Sequence, residues 1–192
     1  MVSQLSTSEA VSQPQKKRFS THGLRRLLVL FTLPALSVYT SWSVAQNPNF
    51  DVLIESLTAI DQQFMADQRM RVERLANRVG RGLTGVADRD LDTLQRILDD
   101  RLVPAEDTLT LQAMGVVFGD LLGDHLDMDW VVYRDHKGRS RALRYRQMDV
   151  YLFPVTMISR RQEGGSARRL KPLFDDTARD TRLLLPGGKW FQ

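Results

Sequence analysis

Cysteine is absent from the 192 residues, and with it disulfide staples, thiolate nucleophiles, thiolate zinc sites and thiol redox switches. Histidine is scarce, three in all, and only His125 and His136 lie beyond residue 45. The cluster Asp120, Asp124, His125, Asp127 and Asp129 offers a single imidazole among scattered carboxylates, a poor set for zinc. The same stretch reads as helix where a calcium loop must turn, and it lacks the closing glutamate. Phosphate-binding loops, the dinucleotide fingerprint and the G-x-S-x-G nucleophile elbow do not occur. From the sequence, therefore, no metal, no cofactor and no catalytic residue is assigned. Paired carboxylates of the glycosidase kind need only geometry, so a carboxylate hydrolase stays open.

Long apolar runs are missing too. The longest, "LLVLFTLPALSV" at 27–38, has 12 residues and contains Pro34, well short of the roughly 20 needed to cross a bilayer. It follows Lys16, Lys17, Arg18, Arg25 and Arg26 and precedes the small residues Ser43 and Ala45. Charged, apolar and small-residue regions in that order make a secretory signal, with cleavage expected between Ala45 and Gln46. The expectation is a periplasmic or secreted protein with no stable membrane span after cleavage. An uncleaved signal anchoring it to the inner membrane is the alternative. Removing residues 1–45 leaves 147, enough for one domain with one core (46–192).

Excess charge of one sign also disappears with the leader. The chain has 27 basic and 23 acidic residues and a pI near 9.7, but positions 46–192 hold 22 of each. The bulk electrostatic footprint of a nucleic-acid binder is thus absent, and no nucleic acid is expected as partner. What remains is asymmetric. Residues 46–129 have eight basic and sixteen acidic side chains, and residues 130–192 have fourteen and six. The two stretches are expected to fold against each other and neutralise.

The pattern present is helical first and two-residue later. Residues 49–80 read as one amphipathic helix capped by Asn49, with Phe50, Leu53, Leu57, Ile60, Phe64, Val72, Leu75 and Val79 on its inner face. A second helix is expected at 88–103 through Leu91, Leu94, Leu98 and Leu102. A third runs from about Asp107 to Leu126, with Leu111, Met114, Phe118, Leu121, Leu122 and Leu126 inward. The third carries Gly115, Gly119 and Gly123, each costing about 1 kcal/mol against alanine. Steps of four turn a helix by only about 40°, so the glycines form a shallow row suited to close packing or to a partner's groove.

Beyond Leu126, "WVVYRDHKGRSRALRY" reads as a β-hairpin with Gly138 at a positive-φ position, followed by a short strand at 150–154. Pro154 then opens a helix that ends at Gly164–Gly165, and a last helix spans about Pro172–Leu184. The fold class is α+β: three N-terminal helices on a three-stranded antiparallel sheet, then one or two helices. Arg134, Arg144 and Arg146 are read as sharing a sheet face. With Arg160 and Arg161 they form the candidate interaction surface for an acidic envelope protein or anionic polymer. Oligomeric state is not read from the sequence.

The segment "AMGVVFGDLLGDHLDMDWVVYRDHKGRSRALRYRQMDVYLFPVTMISRR" resembles a bacterial family catalogued only as a domain of unknown function. The matching elements are a G-V-V-x-G-D helix, a W-V-V strand, a D-x-x-G-R turn and an F-P-x-T-M-I-S-[KR]-R segment, with "DQRMRVERLA" and "DLDTLQRILD" upstream. The resemblance covers most of 60–165. It implies a small α+β domain, often exported, and brings neither an activity nor a catalytic residue. The function expected is a non-enzymatic interaction module of the cell envelope; a small periplasmic hydrolase using carboxylates is the alternative.

Overall fold

The computed structural model describes residues 52–166 and 168–187. The leader, its Ala45–Gln46 cleavage point and the cap expected at Asn49 lie outside the described residues. The elements are β1 (Leu53–Ser56), α1 (Ala59–Arg78), α2 (Ala87–Asp99), α3 (Thr108–Leu126), β2 (Asp129–Asp135), β3 (Gly138–Arg144) and β4 (Tyr151–Leu152). A 3-10 turn (Pro154–Thr156) leads into α4 (Met157–Glu163), and α5 (Leu170–Arg182) closes the described chain. The class is α+β, with five α-helices and one antiparallel sheet among the described residues, in the order β1-β2-β3-β4.

The sheet has four strands rather than three, because residues 53–56 are strand where the sequence reads as helix. Leu53 to Ser56 pair antiparallel with Arg134 to Val131. The helix starts only after Thr58, whose hydroxyl accepts from Asp61 N while the Asp61 carboxylate accepts from Thr58 N. This reciprocal box satisfies two orphan donors and fixes the start of α1. The inner stripe of α1 is displaced accordingly. Met65, Val72 and Ala76 are buried, whereas Ile60 and Phe64, expected inside, are exposed.

Helix α3 is the centre of the molecule and is buried nearly all round. Asp107 caps it by accepting from Thr110 N at 3.0 Å. Asp127 ends it in the left-handed region at φ 55°, where Met128 N donates to Gly123 O. One side meets α5, with Phe118 edge-on to Phe174 at 5.8 Å. Another side carries the glycine row. A Cβ on Gly115 would overlap the carbonyl oxygen of Val155 and lie 2.7 Å from that of Pro154. One on Gly119 would run into the Trp130 ring and lie 2.7 Å from Pro154 Cγ, and one on Gly123 would sit 2.9 Å from Met128 O. The absent side chains let the 3-10 turn and the sheet rest directly on the helix backbone.

The oppositely charged stretches meet as salt bridges. Arg134 pairs with Glu55, Arg139 and Arg141 with Asp61, Arg146 with Asp127, Arg169 with Asp99, and Lys171 with Asp88. Among the described residues, no helix is long and apolar enough to cross a membrane.

Candidate functional site: an arginine-lined cleft

Strand β3 alternates its side chains between two faces. Its register places Arg139 and Arg141 on the same face as Val132, Trp130 and Leu143, the face turned toward α1 and α3. There both arginines reach Asp61. Arg139 Nη2 donates to Asp61 Oδ2 at 2.5 Å, and Arg141 donates to Oδ1 from Nε at 3.1 Å, its Nη2 lying 2.9 Å from the same oxygen. The Asp61 side chain is only 1% exposed. The Arg139 hydrogen bond holds its carboxyl far below the usual carboxylate range against the opposing effect of burial, with Thr58 assisting. The same bond raises the pKa of Arg139. Arg141 also stacks on Phe64, its Cζ 4.0 Å from the ring centroid, a cation–π contact that fixes the guanidinium plane.

These pinned arginines form one wall of a cleft of about 380 Å3. Ser140 lies between them, Phe153, Val155 and Thr156 supply the facing wall, and Gln112 of α3 and Arg160 of α4 complete the lining. Arg160 is exposed and takes part in no salt bridge among the described residues. Two guanidiniums thus share one carboxylate and a third, Arg160, lines the same cleft, so three positive charges stand against the single Asp61 charge, two of them on groups already oriented. Guanidinium donors in a fixed fork suit carboxylate and phosphate oxygens.

The cleft exists because β4 leaves the sheet early. Leu143 pairs with Leu152 and Arg144 with Tyr151, and pairing goes no further. Continuing the register would set Pro154 opposite Arg141, and proline has no N–H to give. Pro154 and Val155 are instead drawn onto Gly115 and Gly119 of α3. The turn moves off the sheet edge, and the cleft opens between them.

The arginines singled out from the sequence are dispersed by the fold. Arg134, Arg144 and Arg146 do not share a sheet face, a correction that follows from the register. Arg134 lies opposite Arg139 and Arg144 opposite Asp129, five residues apart on β2 and so on opposite faces. Arg144 donates to the carbonyls of Gln147 and Met148, and Arg146 sits past the strand at φ 50°. Arg161 turns back on its own helix, donating to Met157 O. Only Arg160 lines the cleft. The sequence offers only local signs of Asp61, Arg139 and Arg141: Thr58-x-x-Asp61 is a capping-box spacing, and two arginines two apart on a strand share a face.

A second cavity, about 450 Å3 and largely apolar, lies between α1 and α3 and is lined by Met70, Val117 and Leu121 with four carboxylates around it. Three of those carboxylates have structural duties. Asp120 accepts two bonds from Arg69 and one from Trp130 Nε1, Glu73 accepts from Leu83 N, and Asp90 accepts from Thr84 and Gly85. His125 lies elsewhere, its Nε2 2.6 Å from Arg182 Nη2. Burial, with the Arg182 charge second, lowers its pKa.

The geometry describes a small α+β domain with a charged cleft at a sheet edge. Residues 90–174 match a family described as a domain of unknown function (DUF3806). That span includes Arg139, Arg141 and Arg160 but not Asp61. No curated protein matches the chain. A crystal structure from Bacteroides thetaiotaomicron VPI-5482 is similar in fold, with a TM-score of 0.60 at 13% identity. The similarity covers 69% of this chain and 49% of that one, so the chain spans about half the length of this neighbour.

Proposed function

We propose that this protein is an exported, non-enzymatic interaction module of the cell envelope, and that it binds an anionic partner in the arginine cleft. The observation that carries this reading is that Arg139 and Arg141, both held by one buried carboxylate, line the same cleft as Arg160. The two strand arginines lose little freedom on binding because Asp61 and Phe64 already hold them. Ligand pockets of such proteins begin at about 300 Å3, and this cleft lies within that range. The alternative, a carboxylate hydrolase, draws on the cavity between α1 and α3. Among its carboxylates only Asp124 has no hydrogen bond or salt bridge to a described residue, while Asp120, Glu73 and Asp90 are engaged by structural donors.

The test is a titration of fluorescent polyglutamate against the purified domain at rising salt. Affinity is expected to fall as salt rises, since exposed charges are screened beyond about 8 Å at physiological ionic strength. Arg160→Gln should weaken binding about three- to fivefold without moving the thermal midpoint. Binding that ignores both salt and Arg160 would remove the reading.

Export rests on the leader and has its own check. N-terminal sequencing of the fractionated protein is expected to begin at Gln46 in the periplasmic or secreted fraction. An intact Met1 in the membrane fraction would favour a retained anchor.

A further inference from the structure

We infer that the partner of the cleft is an acidic polypeptide segment that binds in extended form, adding as a strand to the open edge of β3 at Gly138–Ala142. This inference rests on the reading of the cleft as an anion site and deepens it by naming the class of ligand and the way it is held.

The backbone supplies an observation independent of the charges. Tyr145 N–H donates to Val150 O at 3.3 Å, so the main-chain groups of Tyr145 point toward the β4 side. In an antiparallel ladder these directions alternate from residue to residue. Leu143, Arg141 and Arg139 therefore present their N–H and C=O groups on that side, while Ala142 and Ser140 present theirs to β2. Strand β4 meets Leu143 and then departs. No backbone hydrogen bond outside the ladders involves residues 138–142 among the described residues. The N–H and C=O groups of Arg139 and Arg141 are consequently turned to the cleft with no described strand opposite them.

An edge of this kind is a template for another strand. About four added residues at about 3.3 Å each would run alongside Gly138 to Ala142. Arg139 and Arg141 project from one face of that edge, Ser140 lies between them, and Arg160 faces them from α4. A strand laid there with carboxylates at alternate positions would set two of them on the guanidinium side. Main-chain bonds would give the affinity and alternate acidic side chains the selection. An anionic polymer without backbone amides could use the charges and would leave the edge groups unmet.

The probe is a capped, fluorescein-labelled heptapeptide with alternating glutamate and valine between terminal threonines. It is compared with the same peptide N-methylated at alternate residues and with polyphosphate, by anisotropy and by amide hydrogen exchange on the wild-type domain. The peptide is expected to bind and to slow exchange at Arg139 and Arg141. N-methylation is expected to weaken it about ten- to thirtyfold, the loss of one or two main-chain hydrogen bonds. Equal binding of the methylated peptide, or protection at β1 in place of β3, would overturn strand addition. Polyphosphate bound in an Arg160-dependent way without the peptide would also overturn it while leaving the anionic cleft standing. Failure of all three probes would remove both.

Discussion

Asp61→Asn is expected to destabilise the fold by about 2–4 kcal/mol and, at the same time, to tighten anion binding in the cleft. The loss follows because two arginines remain beside a neutral group; removing one member of a fully buried pair costs about 3–5 kcal/mol. Here the arginine side chains are 36% and 21% exposed, so solvent screens part of the cost and the lower range applies. Binding moves the other way because the carboxylate that competes with the ligand for both guanidiniums has lost its charge. Urea unfolding and the polyglutamate titration read the two effects separately, and a variant unchanged in both would refute the role given to Asp61. The pH profile adds a signature. Asp61 has a folded-state pKa well below its unfolded value, so its contribution is full above about pH 4 and is lost as pH falls from there toward the folded value. The asparagine variant should lack this part of the acid destabilisation.

The glycine row predicts a second large effect, opposite in sign to helix propensity. Alanine at an exposed glycine of a helix gains about 1 kcal/mol. At Gly115 the new methyl would overlap the Val155 carbonyl and press on that of Pro154, backbone atoms that cannot rotate away. Gly115→Ala should therefore destabilise by about 2–3 kcal/mol net, and Gly119→Leu, against Trp130 and Pro154, by at least as much. Gly123→Ala should be mildest, since its nearest obstacles are Met128 O at 2.9 Å and the Leu143 side chain at 3.3 Å. Thermal melts rank the three, and stabilisation at Gly115 would contradict the close approach. Because the same contact seats the 3-10 turn, any folded Gly115→Ala protein should also bind anions less well, its turn pushed back toward β3.

Much of this architecture is legible in the sequence wherever local chemistry decides it. The cap at Asp107, the apolar period of α3 and the Asp135–Gly138 turn lie within a few residues of what they control. Strand β1 was hidden because Leu53 and Leu57 also fit a helical spacing with Phe50 and Ile60. The reciprocal Thr58–Asp61 box was the local sign that the helix begins later. The sides taken by Arg134 and Arg144 follow from the turn: with Asp135 opposite Gly138, residue 144 must face 129. The Asp61 pair with Arg139 and Arg141 was out of reach, because about 80 residues separate the carboxylate from its partners and only the folded sheet brings them together.

That separation shapes the order in which the molecule assembles. Helix α3 and the β2–β3 hairpin adjoin in the chain and close only short loops. Strand β1 must return across about 80 residues to set Leu53 beside Arg134, and contacts so distant in sequence carry the larger loop-closure entropy. With four residues and one described neighbour, β1 has little pairing energy of its own, so it is held by the Asp61 bridge beside it together with the packing of α1 on α3. Until β1 pairs, the edge of β2 stands unprotected, and that edge is where pairing between copies would begin.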